Sequence, residues 1–274
     1  MTRITLSTLL CLLCFVVPVP AQQADSSLLT VQRIYGSPEF KSQSFGPARW
    51  LGDGSSYTTL EQTESGQNLV RYDTESGARE VLLAARQFIP QGDSVPLEVE
   101  EYAWSSDNRM LLIFTNTQPV WRLNTRGDYW VLERTTGRLH QLGGKDAKPS
   151  TLMFAKFSPD GKRVGYVREN NLYVEDLASG AITALTTDGS RTMINGTFDW
   201  VYEEELMNYY ADGWRWSPDG RSVAYWQLNA DRVRDFNLIN NTDSFYSKVI
   251  SVQYPKAGQE NSAARVGVVS ASGG

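Results

Sequence analysis

The chain has 274 residues, 41% of them hydrophobic, which is enough apolar side chain for a substantial core. Its formal net charge of -5 argues against nucleic acid or an anionic membrane surface as a partner and favours a cationic or neutral ligand. Both cysteines, Cys11 and Cys14, fall in the first apolar run, so the remaining chain has neither disulfide nor thiolate chemistry.

The first 21 residues combine the cation Arg3, an apolar run from Leu9 to Val17, and small residues at Val19 and Ala21. The run is shorter than the roughly 20 apolar residues that a bilayer requires. It reads as a cleaved signal peptide over residues 1–21, with an exported, periplasmic or secreted product that has no membrane contact after cleavage. Cys11 and Cys14 each follow a bulky leucine, which disfavours lipidation. Residues 22–44 are expected to form a leader that packs along or closes the domain after it.

From Trp50 onward one pattern recurs. "WLGDGSSYTTL" at Trp50, "WSSDNRMLLIF" at Trp104, "FSPDGKRVGYV" at Phe157 and "WSPDGRSVAYW" at Trp216 each set an aromatic before a polar turn and an alternating apolar run. A second element follows three of them: "NLVRYDTESGAREVL", "DYWVLERTTGRLHQL" and "NLYVEDLASGAITAL". Asp folds back onto its own backbone and Gly accepts positive φ, so each element predicts a hairpin. Two hairpins per repeat give four-stranded units, the signature of β-propeller blades that hide their faces by stacking on neighbours. The fold class is therefore all-β, a β-propeller of four-stranded blades, with about four blades over residues 22–274. The leading aromatics are expected in the inter-blade core. Residues 264–269 read as the start of a further strand, so the natural protein is expected to continue past Gly274.

An inventory removes most chemistry. His140 is the only histidine and lies in a predicted strand, and no G-x-S-x-G elbow supplies a triad nucleophile. His140 is expected at an exposed or edge-strand position. Zinc, calcium and nucleotide motifs are likewise missing, and no cofactor or metal is expected. The interval between Phe157 and Trp216 is the longest of the series, which marks an insertion. Within it "DWVYEEELMNYYADGW" lacks strand alternation and carries Asp199 as an N-cap, so a short helix is expected around residues 199–210. Successive helical residues point about 100° apart, so Glu204 and Glu205 can converge on one cation while Glu203 points away. Acids at a helix start also form ordinary solvated, dipole-compatible faces. The alternative is a receptor in which two carboxylates await an ammonium group.

"DWVYEEE", "WRWSPDGRSVAYWQLN" and "YPKAG" at Tyr254 to Gly258 closely resemble the propeller region of dipeptidyl peptidase IV enzymes in the prolyl oligopeptidase family. The resemblance is specific from about Met193 to Gly258, weaker from Glu101, and thin in the first hundred residues. It implies that Glu204 and Glu205 hold the α-ammonium of a peptide substrate and that Arg122, in "PVWRLNTRGDYWVL", supports the substrate's carbonyl. It further implies an eight-bladed parent followed by an α/β-hydrolase domain with the Ser, Asp and His, removal of X-Pro or X-Ala dipeptides, and a homodimer. On this reading the chain holds about half the propeller, has no catalytic residues of its own, and is inactive alone. The alternative of another class is a non-enzymatic periplasmic scaffold for protein interaction, which the repeats fit equally well and the acidic helix does not predict.

Overall fold

The computed structural model describes residues 27–42, 45–52, 54–145, 147–206 and 212–274. The expected signal, residues 1–21 with Cys11 and Cys14, lies outside the described residues. The chain divides into two units, Met1–Ser44 and Phe45–Gly274. In the first, a single helical turn α1 (Val31–Tyr35) is capped by Thr30, whose hydroxyl accepts from the Arg33 amide at 3.1 Å.

The second unit is built of antiparallel blades. The first has β1 (Ala48–Trp50), β2 (Ser56–Thr63), β3 (Gly66–Asp73) and β4 (Arg79–Leu83), paired in that order. The second has β5 (Glu101–Trp104), β6 (Met110–Val120), β7 (Leu123–Glu133) and β8 (Leu139–Gln141); the third has β9 (Leu152–Phe157), β10 (Arg163–Arg168), β11 (Asn171–Asp176) and β12 (Ile182–Ala184). The fourth contains β13 (Met193–Asn195), α2 (Trp200–Leu206), β14 (Trp214–Trp216) and β15 (Ser222–Asn229). It continues with a separate hairpin of β16 (Asp235–Asn240) and β17 (Lys248–Gln253), and then β18 (Ala263–Ser270), which pairs with β15.

The repeated turns form for the reason the sequence indicates. In each of the last three, a serine hydroxyl (Ser105, Ser158, Ser217) donates to the Asp two positions on, at 2.6–2.7 Å. The same Asp accepts a backbone amide two residues further along. Gly161 and Gly220 then take φ near +70°, and Asn108 holds the equivalent place at +57°, a conformation Asn tolerates better than most side chains.

Clusters of buried side chains lie between successive blades. Leu69, Leu83 and Phe88 pack with Leu111, Ile113 and Leu132, and Trp104 leans on that cluster. Phe157 and Trp216 pack against the two following clusters. Trp50 departs from the expected pattern, being 66% exposed. Its register partner is Tyr57, so it lies on the face of the first blade opposite to Leu60 and Leu69, which face the second blade. Among the described residues no earlier blade covers that face, and the ring gains only edge contacts with Tyr57.

Two irregularities position the site. The β6–β7 hairpin slips register between Thr115 and Gln118 and again before Val120. Beyond the first slip, β7 pairs with β9 of the third blade, Arg126 with Met153 and Gly127 with Leu152. A Cβ at Gly127 would lie 2.5 Å from the Phe114 ring and 2.6 Å from the Thr115 carbonyl, so this crossing requires glycine. Asp128, buried beside it, accepts from the Asn116 side chain and the Ser150 amide, both at 2.7 Å. The long hairpin tip, with Trp121 and Arg122, therefore reaches past its own blade.

The second irregularity is a split strand. β13 pairs with residues 227–229 of β15 and β14 with residues 223–225, so both are parts of one strand opened in the middle. The chain leaves the sheet after Gly196 and rejoins it at Gly213. Trp226 accepts from the Gly196 amide and donates to the Gly213 carbonyl, each at 2.9 Å, while Gly213 donates to Gly196 at 3.0 Å. A Cβ on Gly213 would sit 2.9 Å from the Gly196 carbonyl carbon, so the neck closes only with glycine. The α2 helix stands on this neck.

Candidate functional site

A seven-residue helix is marginal by itself and needs tertiary support. Asp199 gives it a start: its Oδ1 accepts from the Tyr202 amide at 3.0 Å, as an N-cap does, and its carbonyl accepts the Glu203 amide at 3.0 Å. The other Asp199 oxygen accepts from the Ser262 hydroxyl, and the Tyr202 hydroxyl donates to the Ser262 carbonyl at 2.9 Å. Phe198 packs with Ile194 and Leu228 beneath, against Trp226. The Trp200 ring meets Tyr254 with centroids 4.5 Å apart, so "DWVYEEE" and "YPKAG" are contiguous in space. Neither Ser262 nor Tyr254 carries a sequence signal of helix support; only the return of β18 to β15 brings that segment beneath α2.

The carboxylates then differ in environment. Glu205 is exposed and forms no ion pair among the described residues. Glu204, with a side chain 22% exposed, lies 3.1 Å from the Arg122 guanidinium. Arg122 is thus delivered by the second blade to a helix on the fourth. Glu203 is not turned to solvent as a residue merely pointing away from the pair would be; it is 5% exposed. Burial pushes its carboxyl up to about 7, the charge on Glu204 pushes the same way, and Arg122 opposes them. A solvated acidic face would show none of this graded burial. The structure brings Arg122 and Glu204 together, leaves Glu205 at the open side, and adds Glu203 to the cluster.

The return of the excursion is tied as well. Lys156 on β9 donates to Asp212 at 2.6 Å, with its ammonium 3.9 Å over the Trp214 ring. Burial lowers Lys156 to about 8 while Asp212 counteracts it.

Residues 105–274 match the family described as "Dipeptidyl peptidase IV (DPP IV) N-terminal region". The chain belongs to that family. Dipeptidyl aminopeptidase B of Saccharomyces cerevisiae is 33% identical over 71% of this chain and 23% of its own length. Dipeptidyl peptidase 4 of Sus scrofa is 28% identical over 82% of it and 28% of its own length, and inactive dipeptidyl peptidase 10 of Mus musculus is 28% identical over 82% and 27%. The crystal structure of Porphyromonas gingivalis dipeptidyl peptidase 4 superposes with a TM-score of 0.74 at 26% identity, over 86% of this chain and 33% of that one. The chain thus spans about a quarter of the length of these curated relatives.

Elsewhere in this dipeptidyl peptidase IV region His140 sits on β8, where its Nε2 lies 2.8 Å from Glu175 of the third blade. Glu175 is buried and also accepts from the Gly143 amide at 2.9 Å, so the histidine joins a structural clasp between blades. Among the described residues no three His, Cys, Asp or Glu side chains are grouped as metal ligands, and no helix is long and apolar enough to cross a membrane. A mainly apolar cavity of about 240 Å³ between the second and third blades is lined by Tyr102, Leu112, Phe114, Tyr129 and Phe154, together with Glu101, which pairs with Arg49.

Proposed function

We propose that this chain is the N-terminus-recognising region of an exported serine dipeptidyl peptidase that removes X-Pro or X-Ala dipeptides. The observation that carries the reading is the 3.1 Å pairing of Arg122 with Glu204, which assembles a guanidinium and a carboxylate cluster from two blades at one place. An ammonium group has three donors and no acceptor, so it suits Glu204 and Glu205, while a peptide carbonyl accepts from Arg122. Hydrolysis is assigned to the longer protein, whose nucleophile would meet only peptides held at a fixed distance from this receptor. Positioning of that kind contributes orientation entropy to the reaction and excludes N-blocked substrates. A relative named as inactive matches the same region, so the proposal for this chain is recognition, with catalysis placed elsewhere.

Export rests on Arg3, the Leu9–Val17 run and the small residues ending at Ala21. One experiment tests the recognition. The exported product, expected to begin at Gln22, is titrated with Ala-Pro amide and with N-acetyl-Ala-Pro amide and followed by NMR shifts. Charge-assisted hydrogen bonds of about 1.5–3 kcal/mol predict binding of the free amine at least roughly tenfold tighter. Equal binding of the two peptides would remove the receptor and favour the scaffold reading.

The homodimer implied by the resemblance has a supporting surface. Among the described residues the β16–β17 hairpin pairs with no other strand, and it exposes Ile239, Phe245, Tyr246 and Val249 at 67%, 96%, 80% and 66%. A two-stranded ribbon with so much open apolar area is marginal in water and gains by covering it. Sedimentation is expected to show a dimer that the double variant Ile239→Asp, Val249→Asp converts to monomer; unchanged sedimentation would count against this arm.

A further inference from the structure

Three neighbouring carboxylates share one short helix, and the structure separates them by depth: Glu205 is in solvent, Glu204 is half-buried against Arg122, and Glu203 is buried. The Glu203 Oε2 atom has neither solvent contact nor a hydrogen-bond partner among the described residues. An oxygen in that position can carry negative charge only if a cation or donor comes to it; otherwise the carboxyl neutralises. The charged groups acting on it are Glu204, from its own helix, and Arg122, from the β6–β7 tip. Arg122 is already engaged by Glu204. The cluster therefore contains an unfilled acceptor on the residue next in sequence to the carboxylate assigned to the ligand's ammonium, and that carboxylate acts on it electrostatically.

We propose that Glu203 is a proton-exchanging positioning residue of this receptor, holding a proton while the site is empty and releasing it to solvent when an α-ammonium group docks against Glu204 and Glu205. The inference rests on the reading of the site as an ammonium receptor. The exchange is balanced: the ligand stays RNH3+, Glu203 passes from carboxylic acid to carboxylate, and one proton enters water. Its cause is electrostatic. The arriving positive charge cancels the Glu204 repulsion that keeps Glu203 protonated and supplies the counter-charge that burial otherwise denies it. With the empty-site group near pH 7, the exchange falls where modest pH changes matter. By linkage, a proton released on binding makes affinity rise with pH until the free group is ionised.

The test uses the full chain and Ala-Pro amide. If the free group titrates near 7 and the bound one well below 6, affinity rises roughly fivefold from pH 6 to pH 7. Calorimetry at pH 6 in two buffers of different ionisation enthalpy should report close to one proton released. Glu203→Gln keeps the shape without the titration, so its affinity should be flat over that interval and its heats independent of buffer. Wild-type binding without proton release, or a variant that retains the pH dependence, overturns the inference. Should the variant fail to fold, carbon-13 NMR of wild-type glutamate carboxyls decides: one resonance titrating near pH 7 moves to lower pH on adding peptide, and no movement overturns it. Equal binding of N-acetyl-Ala-Pro amide would remove the receptor itself and this inference with it, whereas free-amine binding without proton release removes only the role of Glu203.

Discussion

Glu204→Gln is expected to abolish the preference for a free amino terminus while leaving the fold almost untouched. The two consequences separate because the same residue plays two unequal parts. Its ion pair with Arg122 is partly open to water, the arginine side chain being 60% exposed, and such pairs contribute about 0–1 kcal/mol to stability. A ligand ammonium docked there would instead share a half-buried, charge-assisted contact worth about 1.5–3 kcal/mol, so affinity should fall roughly 10- to 100-fold. The free and N-acetylated peptides, titrated side by side with thermal melts of wild type and variant, read both quantities. A variant that keeps its discrimination would show that Glu204 does not hold the ammonium, and a large drop in melting temperature would show that the pair is structural.

Trp214→Ala should have the largest effect on stability. Trp214 is 2% exposed, packs with Val167, Leu172, Val174, Leu185 and Val223, and donates its indole N–H to the Phe154 carbonyl at 3.2 Å. Its ring also occupies space that a side chain at residue 165 would need, a Cβ on Gly165 falling 2.6 Å from it. Truncation leaves a cavity between the third and fourth blades and removes one of the two donors to the Phe154 carbonyl, the Lys156 ammonium at 3.3 Å remaining, which predicts a loss of about 3–5 kcal/mol, most of it from the cavity. Because total stability is typically about 5–15 kcal/mol, urea unfolding should shift markedly. Trp214 directly follows the Gly213 neck, so α2 should loosen and peptide binding weaken in parallel. Trp216→Ala is the control: that ring packs on the same cluster from a less buried position, so the expected loss is smaller. A Trp214→Ala loss under about 1 kcal/mol would mean that the cluster repacks, contrary to the close packing of protein interiors.

Much of the fold was legible in the sequence because it is encoded locally. The Ser-x-Asp-Gly turns and alternating strands need only neighbouring residues to form, and they specify hairpins, blades and repeat. Asp199 capping α2 is local for the same reason. Trp50 shows the limit of that inference: its motif matches Trp104 and Trp216, yet burial depends on a neighbouring blade, which a motif cannot supply. The candidate site lies beyond local encoding altogether. Glu204 and Glu205 could be singled out from their helix, and Arg122 from resemblance, but the contact between Arg122 and Glu204 exists only because β7 crosses to β9 and a split strand lifts α2. The sequence by itself determined the blades and the acidic helix, through short-range turn and capping chemistry. Only the tertiary structure decided which of three adjacent glutamates is buried, paired or open, because charge states and partners there depend on burial and on groups from another blade.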